Sequence, residues 1–281
     1  MCMQKTQITV DEVGRFLNER LDIEIHNDPY QLQYVQALID PTKKTQAVFC
    51  NAEAGTGKTS LAISAAYYLL KRNIIKQIIY VRSAVSIREL GFLPGDIEEK
   101  EAPYMQPGLD ALSKLEPNNK KLIDTLKDND QLVITTTAFL RGVDWDDKKF
   151  LIVDEAQNLN LSELQTVLTR PHDTTKVVVI GSSLQCDEGL RAVRYGKEKF
   201  LPFELYSYHF DKCTDVPVKV IELHTNYRGN FSLLADKIQY TIDYLNKAYE
   251  DRGEKPKIPT KPTDEELCKA WGNVKPKNRK E

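Results

Sequence analysis

Ala47-Val48-Phe49-Cys50-Asn51-Ala52-Glu53-Ala54-Gly55-Thr56-Gly57-Lys58-Thr59-Ser60 is the stretch whose reading decides the fold. Its first four residues are apolar and read as a buried strand, and Ser60–Leu70, rich in Ala, Leu and Tyr, reads as a helix. Strand, glycine-bearing loop, Lys-Thr, helix is the context a phosphate-binding P-loop requires. Gly55 and Gly57 let successive backbone N–H groups turn inward around phosphates, and the helix N-terminus adds partial positive charge. Lys58 is then placed for the β- and γ-phosphates, and the Thr59 hydroxyl for one Mg²⁺ position. Glu53, Ala54, Gly55, Thr56, Gly57, Lys58, Thr59 and Ser60 are therefore the expected nucleotide-binding residues. Ala52 stands where the G-x-x-x-x-G-K-[ST] pattern has its first glycine. Alanine is the smallest replacement, so strain rather than lost binding is expected. The expected ligand is a nucleoside triphosphate.

The 281 residues suffice for one large α/β domain or two small ones. With 39 basic and 41 acidic residues the formal charge is −2, so any nucleic-acid surface must be local. The five cysteines (Cys2, Cys50, Cys186, Cys213 and Cys268) contain no C-x-x-C spacing, and the four histidines form no H-x-x-x-H pair. That pattern speaks for free thiols and against a zinc enzyme. No apolar run approaches the ~18 residues of a membrane span, and the N-terminus lacks a signal-peptide core. The expectation is a soluble, cytoplasmic protein.

Outward from the P-loop, Thr9–Leu21 carries apolar residues at helical spacing, and Asp28-Pro29 signals the start of a second helix ending before Pro41. Residues 1–45 are thus expected to be N-terminal helices. Further strands are expected at Gln77–Val81, Gln131–Thr135, Phe150–Val153, Lys176–Ile180 and Val218–Leu223. Helices alternate with them, which predicts an α/β fold with a doubly wound, mostly parallel sheet over 46–250. Pro and Gly density over 83–128 suggests a helical or irregular insertion above one end of the sheet. Asn230–Tyr249 is expected to be one helix, and 251–281 a polar tail that docks on a neighbour through Trp271.

Asp154-Glu155 follows four apolar strand residues. Paired carboxylates at a strand's carboxyl end suit NTP hydrolysis: Asp154 holds Mg²⁺ through water, and Glu155 orients and deprotonates the attacking water. Gln185 follows the next strand and points to the same crevice, where an amide donates to a γ-phosphate. Arg228 in Asn226-Tyr227-Arg228-Gly229 reads either as a surface arginine or as an arginine finger, in cis or from a neighbouring subunit. Gln31 reads either as a solvent-facing residue or as a reader of the adenine edges. Arg82, Arg88, Phe92, Tyr104 and Arg141 are candidates for a nucleic-acid face, as cations for phosphates and rings for base stacking.

In order along the chain, Ala54–Thr59, Arg82-Ser83-Ala84-Val85, Leu90-Gly91-Phe92-Leu93-Pro94-Gly95-Asp96, Ala138-Phe139-Leu140-Arg141-Gly142 and Val153-Asp154-Glu155-Ala156-Gln157-Asn158 resemble the PhoH-like ATPases. The resemblance runs from about Tyr30 to Gln185, and that family's core is similar to the ATPase core of superfamily 1 helicases. It implies a RecA-like P-loop NTPase fold, Gln31 as the adenine-reading glutamine, Gln185 as a γ-phosphate sensor and Arg228 as a finger. It further implies ATP with Mg²⁺, RNA or single-stranded nucleic acid as partner, and a homo-oligomeric ring, hexameric by expectation. Ser182 departs from the family by standing where an Asp is usual, and the acidic run Asp144, Asp146, Asp147 is this chain's own. From a different class, a nucleotide-dependent assembly or regulatory module acting on a protein partner is the alternative. A metabolite kinase is disfavoured by Asp154-Glu155.

Overall fold

The computed structural model describes residues 8–82, 97–137, 140, 148–183, 185, 193–195 and 198–252. The Gly91–Asp96 run, Asp144, Asp146, Asp147 and Trp271 lie outside them.

Two capped helices begin the chain. α1 (Val10–Leu21) starts at Thr9, whose hydroxyl accepts the Glu12 amide while the Glu12 carboxylate accepts the Thr9 amide. α2 (Pro29–Ile39) starts at Asp28, which accepts the amides of Tyr30 and Gln31, with Pro29 preset in the first turn. β1 (Ala47–Ala52) then feeds the P-loop and α3 (Lys58–Lys71). β2 (Gln77–Arg82) follows, then α4 (Ile97–Leu115), α5 (Leu122–Asp128), β3 (Leu132–Thr136), β4 (Lys149–Val153), α6 (Leu161–Leu168) and β5 (Lys176–Gly181). A two-stranded antiparallel ribbon, β6 (Val193–Tyr195) with β7 (Glu198–Phe200), precedes α7 (Pro202–Lys212), β8 (Val218–Leu223), α8 (Asn230–Asp236) and α9 (Ile238–Arg252).

Six strands form one all-parallel sheet in the order β3-β2-β4-β5-β1-β8. Every residue of β4 and β5 is buried, as strands covered on both faces must be. The side-chain alternation of a strand sends residues to two separate cores. Val48, Cys50, Tyr80, Phe150 and Ile152 face α1–α5, whereas Phe49, Val81, Leu151 and Val153 face α6 and α7. The sheet is doubly wound, and the carboxyl ends of its strands share one edge.

The structure adds detail to two stretches of the sequence reading. Ile97–Leu115 is a continuous helix that holds Pro103, Pro107 and Gly108, and its Met105, Ala111, Leu112 and Leu115 are buried beside α3. The described part of the expected insertion is thus helical, α4 and α5, with α4 packed in the core layer; burial of one face of α4 offsets the hydrogen bonds that two prolines forfeit. Asn230–Tyr249 is two helices, because the Lys237 amide closes a tight turn on the Leu234 carbonyl.

Candidate nucleotide site

β1, β4 and β5 deliver their carboxyl ends to a cleft of about 520 Å³. The P-loop forms its floor. Gly55 and Gly57 take φ of +75° and +83°, the left-handed region that an L side chain rarely adopts. At Gly55 a Cβ would also lie 2.9 Å from Cγ of Arg228. No side chain caps α3, so its first amides are left to an incoming anion. Lys58 donates from Nζ to the Glu53 carbonyl at 3.3 Å.

Thr59 and Asp154 meet across the cleft. The Thr59 hydroxyl donates to Oδ1 of Asp154 at 3.1 Å, and the Tyr80 hydroxyl donates to Oδ2 at 2.6 Å. Asp154 is 1% exposed. Burial and the neighbouring Glu155 charge push its carboxyl up, while Arg82, the Tyr80 bond and Lys58 pull it down; the net direction is upward. A hydroxyl and a carboxylate converging on one point are hard oxygen donors that fit Mg²⁺. Among the described residues no three His, Cys, Asp or Glu side chains cluster as a metal cage, so such an ion would complete its shell from phosphates and water.

Glu155 sits in the left-handed region (φ 54°), which turns its side chain towards the cleft. Its Oε1 pairs with Nη2 of Arg82 at 3.3 Å and its Oε2 accepts Nε2 of Gln157 at 2.6 Å. Gln157 in turn accepts the Ser182 amide at the end of β5, 3.1 Å away. Gln185 and Arg228 line the same cleft, as do Asp110, Ala111 and Lys114 from α4.

A second cavity of about 520 Å³ shares Gly55, Gly57 and Ser60 with the first and is lined by Asp22, Glu24, Asn27, Gln31 and Tyr227. Gln31 is 3% exposed, which removes the solvent-facing reading, and it donates from Nε2 to the Thr56 carbonyl at 3.0 Å. Asp28 accepts the Tyr227 hydroxyl at 2.9 Å. Burial alone would raise the Asp28 carboxyl, but hydrogen bonds from Thr225, Tyr227, Gln31 and Tyr30 hold it below the ordinary carboxylate value.

Residues 24–201 match the family described as PhoH-like protein. The chain belongs to the PhoH-like family. It is 39% identical over 158 residues to a PhoH-like protein of Bacillus subtilis, covering 56% of this chain and 47% of that one. A PhoH-like protein of Synechocystis is 38% identical over 159 residues (56% and 46%), and Protein PhoH of Escherichia coli K12 is 34% identical over 158 (56% and 43%). The match thus spans under half the length of these relatives. A solved structure, the Sulfolobus solfataricus SWI2/SNF2 ATPase core in complex with dsDNA, overlaps 55% of this chain and 31% of its own at a TM-score of 0.35 and 18% identity.

In this PhoH-like chain the P-loop residues, Asp154, Glu155, Gln185 and Arg228 are brought together, with Gln31 directly beneath the loop. Arg82, one of the candidates for a nucleic-acid face, has a side chain 17% exposed that pairs in the cleft with the carboxylates of Glu155 and Asp154. Arg88, Phe92 and Arg141 lie outside the described residues, and Tyr104 lies in α4 with its side chain outside them. Sequence reasoning missed Tyr80, Gln157, Asn226 and Asp236. Gln157 and Asn226 were within quoted motifs, which is the one signal that pointed to them.

Proposed function

We propose that this chain hydrolyses ATP with Mg²⁺ and couples that reaction to RNA or other single-stranded nucleic acid in a homo-oligomeric ring. The observation that carries the hydrolytic part is the 3.1 Å bond from Thr59 to Asp154, with Glu155 beside it on the same cleft. The amides of the loop and the N-terminus of α3 receive the phosphates, Lys58 neutralises them, and Thr59 with Asp154 holds Mg²⁺. Bound there, Mg²⁺ would neutralise charge developing on the phosphates. Glu155 orients a water, takes its proton as the water oxygen bonds to the γ-phosphorus, and the bond to the ADP oxygen breaks. Arg82 and Gln157 fix the Glu155 carboxylate, which retains lone pairs for the water. Gln185 and Arg228 face the terminal phosphate. The base occupies the cavity beside Gln31 and Tyr227.

Family membership and the likeness of its motifs to helicase motifs support the nucleic-acid partner. One observation favours the alternative, an assembly module. Phe231 (89% exposed), Ile238, Tyr240 and Ile242 leave apolar surface on α8 and α9, where a protein partner fits better than RNA. Steady-state ATP hydrolysis with and without single-stranded RNA, with Glu155→Gln as the blank, separates the two. Stimulation is expected; hydrolysis indifferent to RNA and DNA points to the module.

A further inference from the structure

The segment after β8 folds over the P-loop. Asn226 donates from Nδ2 to the Ala54 carbonyl at 2.6 Å, and the Tyr227 amide donates to the Gly55 carbonyl at 2.9 Å. Asp236 completes the cover from the last position of α8. Its Oδ2 accepts the Ala54 amide at 2.8 Å and its Oδ1 accepts Nε2 of Gln185 at 2.6 Å. A carboxylate at a helix C-terminus is disfavoured by the helix dipole, so this placement needs compensation. Two charge-assisted hydrogen bonds supply it.

The two donors are informative. One is an amide of the loop that cradles phosphates, and the other is the glutamine in the segment that follows β5. Both residues line the cleft with Lys58, Glu155 and Arg228. An anion presenting two oxygens to these two donors does what two oxygens of a terminal phosphate would do. Asp236 and that phosphate are like charges calling on the same hydrogen atoms.

We propose that Asp236 is a positioning residue that sets the preference between nucleoside triphosphate and diphosphate, its carboxylate being exchanged for the terminal phosphate at Ala54 and Gln185. The proposal rests on the ATP reading above. A diphosphate leaves the Asp236 bonds in place, whereas a triphosphate breaks them and inherits Gln185. Asp236 therefore weakens triphosphate binding selectively, and it releases the sensor only to the nucleotide that reacts.

The test compares Asp236→Asn, Asp236→Ala and Asp236→Glu with the unmodified chain. Affinities for fluorescent ADP and a fluorescent non-hydrolysable ATP analogue are measured with Mg²⁺, and KM and kcat for ATP beside them. Charged hydrogen bonds of this kind make an about tenfold gain in triphosphate affinity the expected result for the Asn and Ala variants. ADP affinity stays fixed, KM for ATP falls without a rise in kcat, and Asp236→Glu restores the original ratio. Asp236→Asn has nearly the native shape and carries the test should the Ala variant fail to fold. Equal shifts for the two nucleotides, no shift, or weaker triphosphate binding overturn the proposal alone. Absence of Lys58-dependent binding in the unmodified chain overturns the ATP reading and this proposal with it.

Discussion

The Tyr80 hydroxyl donates to Oδ2 of Asp154 over 2.6 Å, from a ring that is 2% exposed. The tyrosine is on β2 and the aspartate follows β4, so the bond ties two adjacent strands at the edge where the chemistry is expected. Burial and the Asp154 charge push the Tyr80 hydroxyl far above its ordinary value, so it stays a donor. The bond also opposes the burial that raises Asp154. Tyr80→Phe therefore raises Asp154 further. In the proposed role Asp154 works as the carboxylate, so activity is expected to be lost as pH falls through its pKa. The acid limb of the hydrolysis profile is expected to move to higher pH, and a stationary limb would show that the bond does not act on Asp154.

Gly108 on α4 supports the same ring. A Cβ there would lie 2.7 Å from Cε1 and 2.8 Å from Cζ of Tyr80. Both ring and helix are packed, so Gly108→Ala must displace one of them, at a cost of roughly 1–3 kcal/mol. Chemical denaturation should show the loss, accompanied by the acid-limb shift of Tyr80→Phe. A variant as stable as the parent means that α4 yields freely.

Glu155→Gln keeps the shape of the side chain and its Gln157 neighbour but cannot accept a proton. Turnover should fall by at least about 10²-fold with nucleotide affinity retained. Unchanged turnover removes Glu155 as the base.

Arg228 covers Gly55 of its own chain and lines its own cleft. Arg228→Ala should lower kcat by about 10³-fold or more, as loss of an arginine finger does, with a smaller effect on affinity. Mixing the variant with wild type should give activity linear in the wild-type fraction; curvature would place the finger in a neighbouring subunit.

Lys176 is 4% exposed and donates from Nζ to the carbonyls of Ala37 (3.1 Å) and Thr45. Burial pulls its ammonium down from 10.5 to about 7, against the opposing charge of Asp40. Between those values the unfolded chain binds the extra proton, so this group makes stability rise with pH from about 7 upward and adds no slope below. Denaturation midpoints across pH 7–9 should climb more steeply in the parent than in Lys176→Met. Parallel curves would count against the shift.

The elements that sequence shows well are those whose cause is local. Runs such as Phe150–Val153 and Val177–Ile180 are apolar because both sheet faces are covered, and Asp28-Pro29 caps its own helix. The loop and Asp154-Glu155 are contiguous motifs. What escaped depends on partners far away in the chain: Tyr80 meets Asp154 across 74 positions, and Asp236 meets Ala54 across 182. The break after Asp236 belongs to the same class, since α8 ends where its last side chain reaches the P-loop. The ion pairs of Arg82 with Asp154 and Glu155 were not legible either, because an arginine after a strand looks alike on a groove or in a cleft. Its pairing depends on which strands lie beside β2, and one of the two is β4, which leads into Asp154 and Glu155.

The sheet order also puts β5 between β1, which carries the loop, and β4, which carries Asp154. At its end Ser183 and Asn51 exchange hydrogen bonds on one side, at 3.1 and 3.0 Å, while the Ser182 amide is held by Gln157 on the other. The two halves of the site are thus riveted to a common girder that has no exposed face along which to slide. On the proposed ATP reading, any rearrangement on nucleotide binding is therefore expected in the elements that flank the sheet, α4 and the segment bearing Arg228, rather than in β1, β4 and β5.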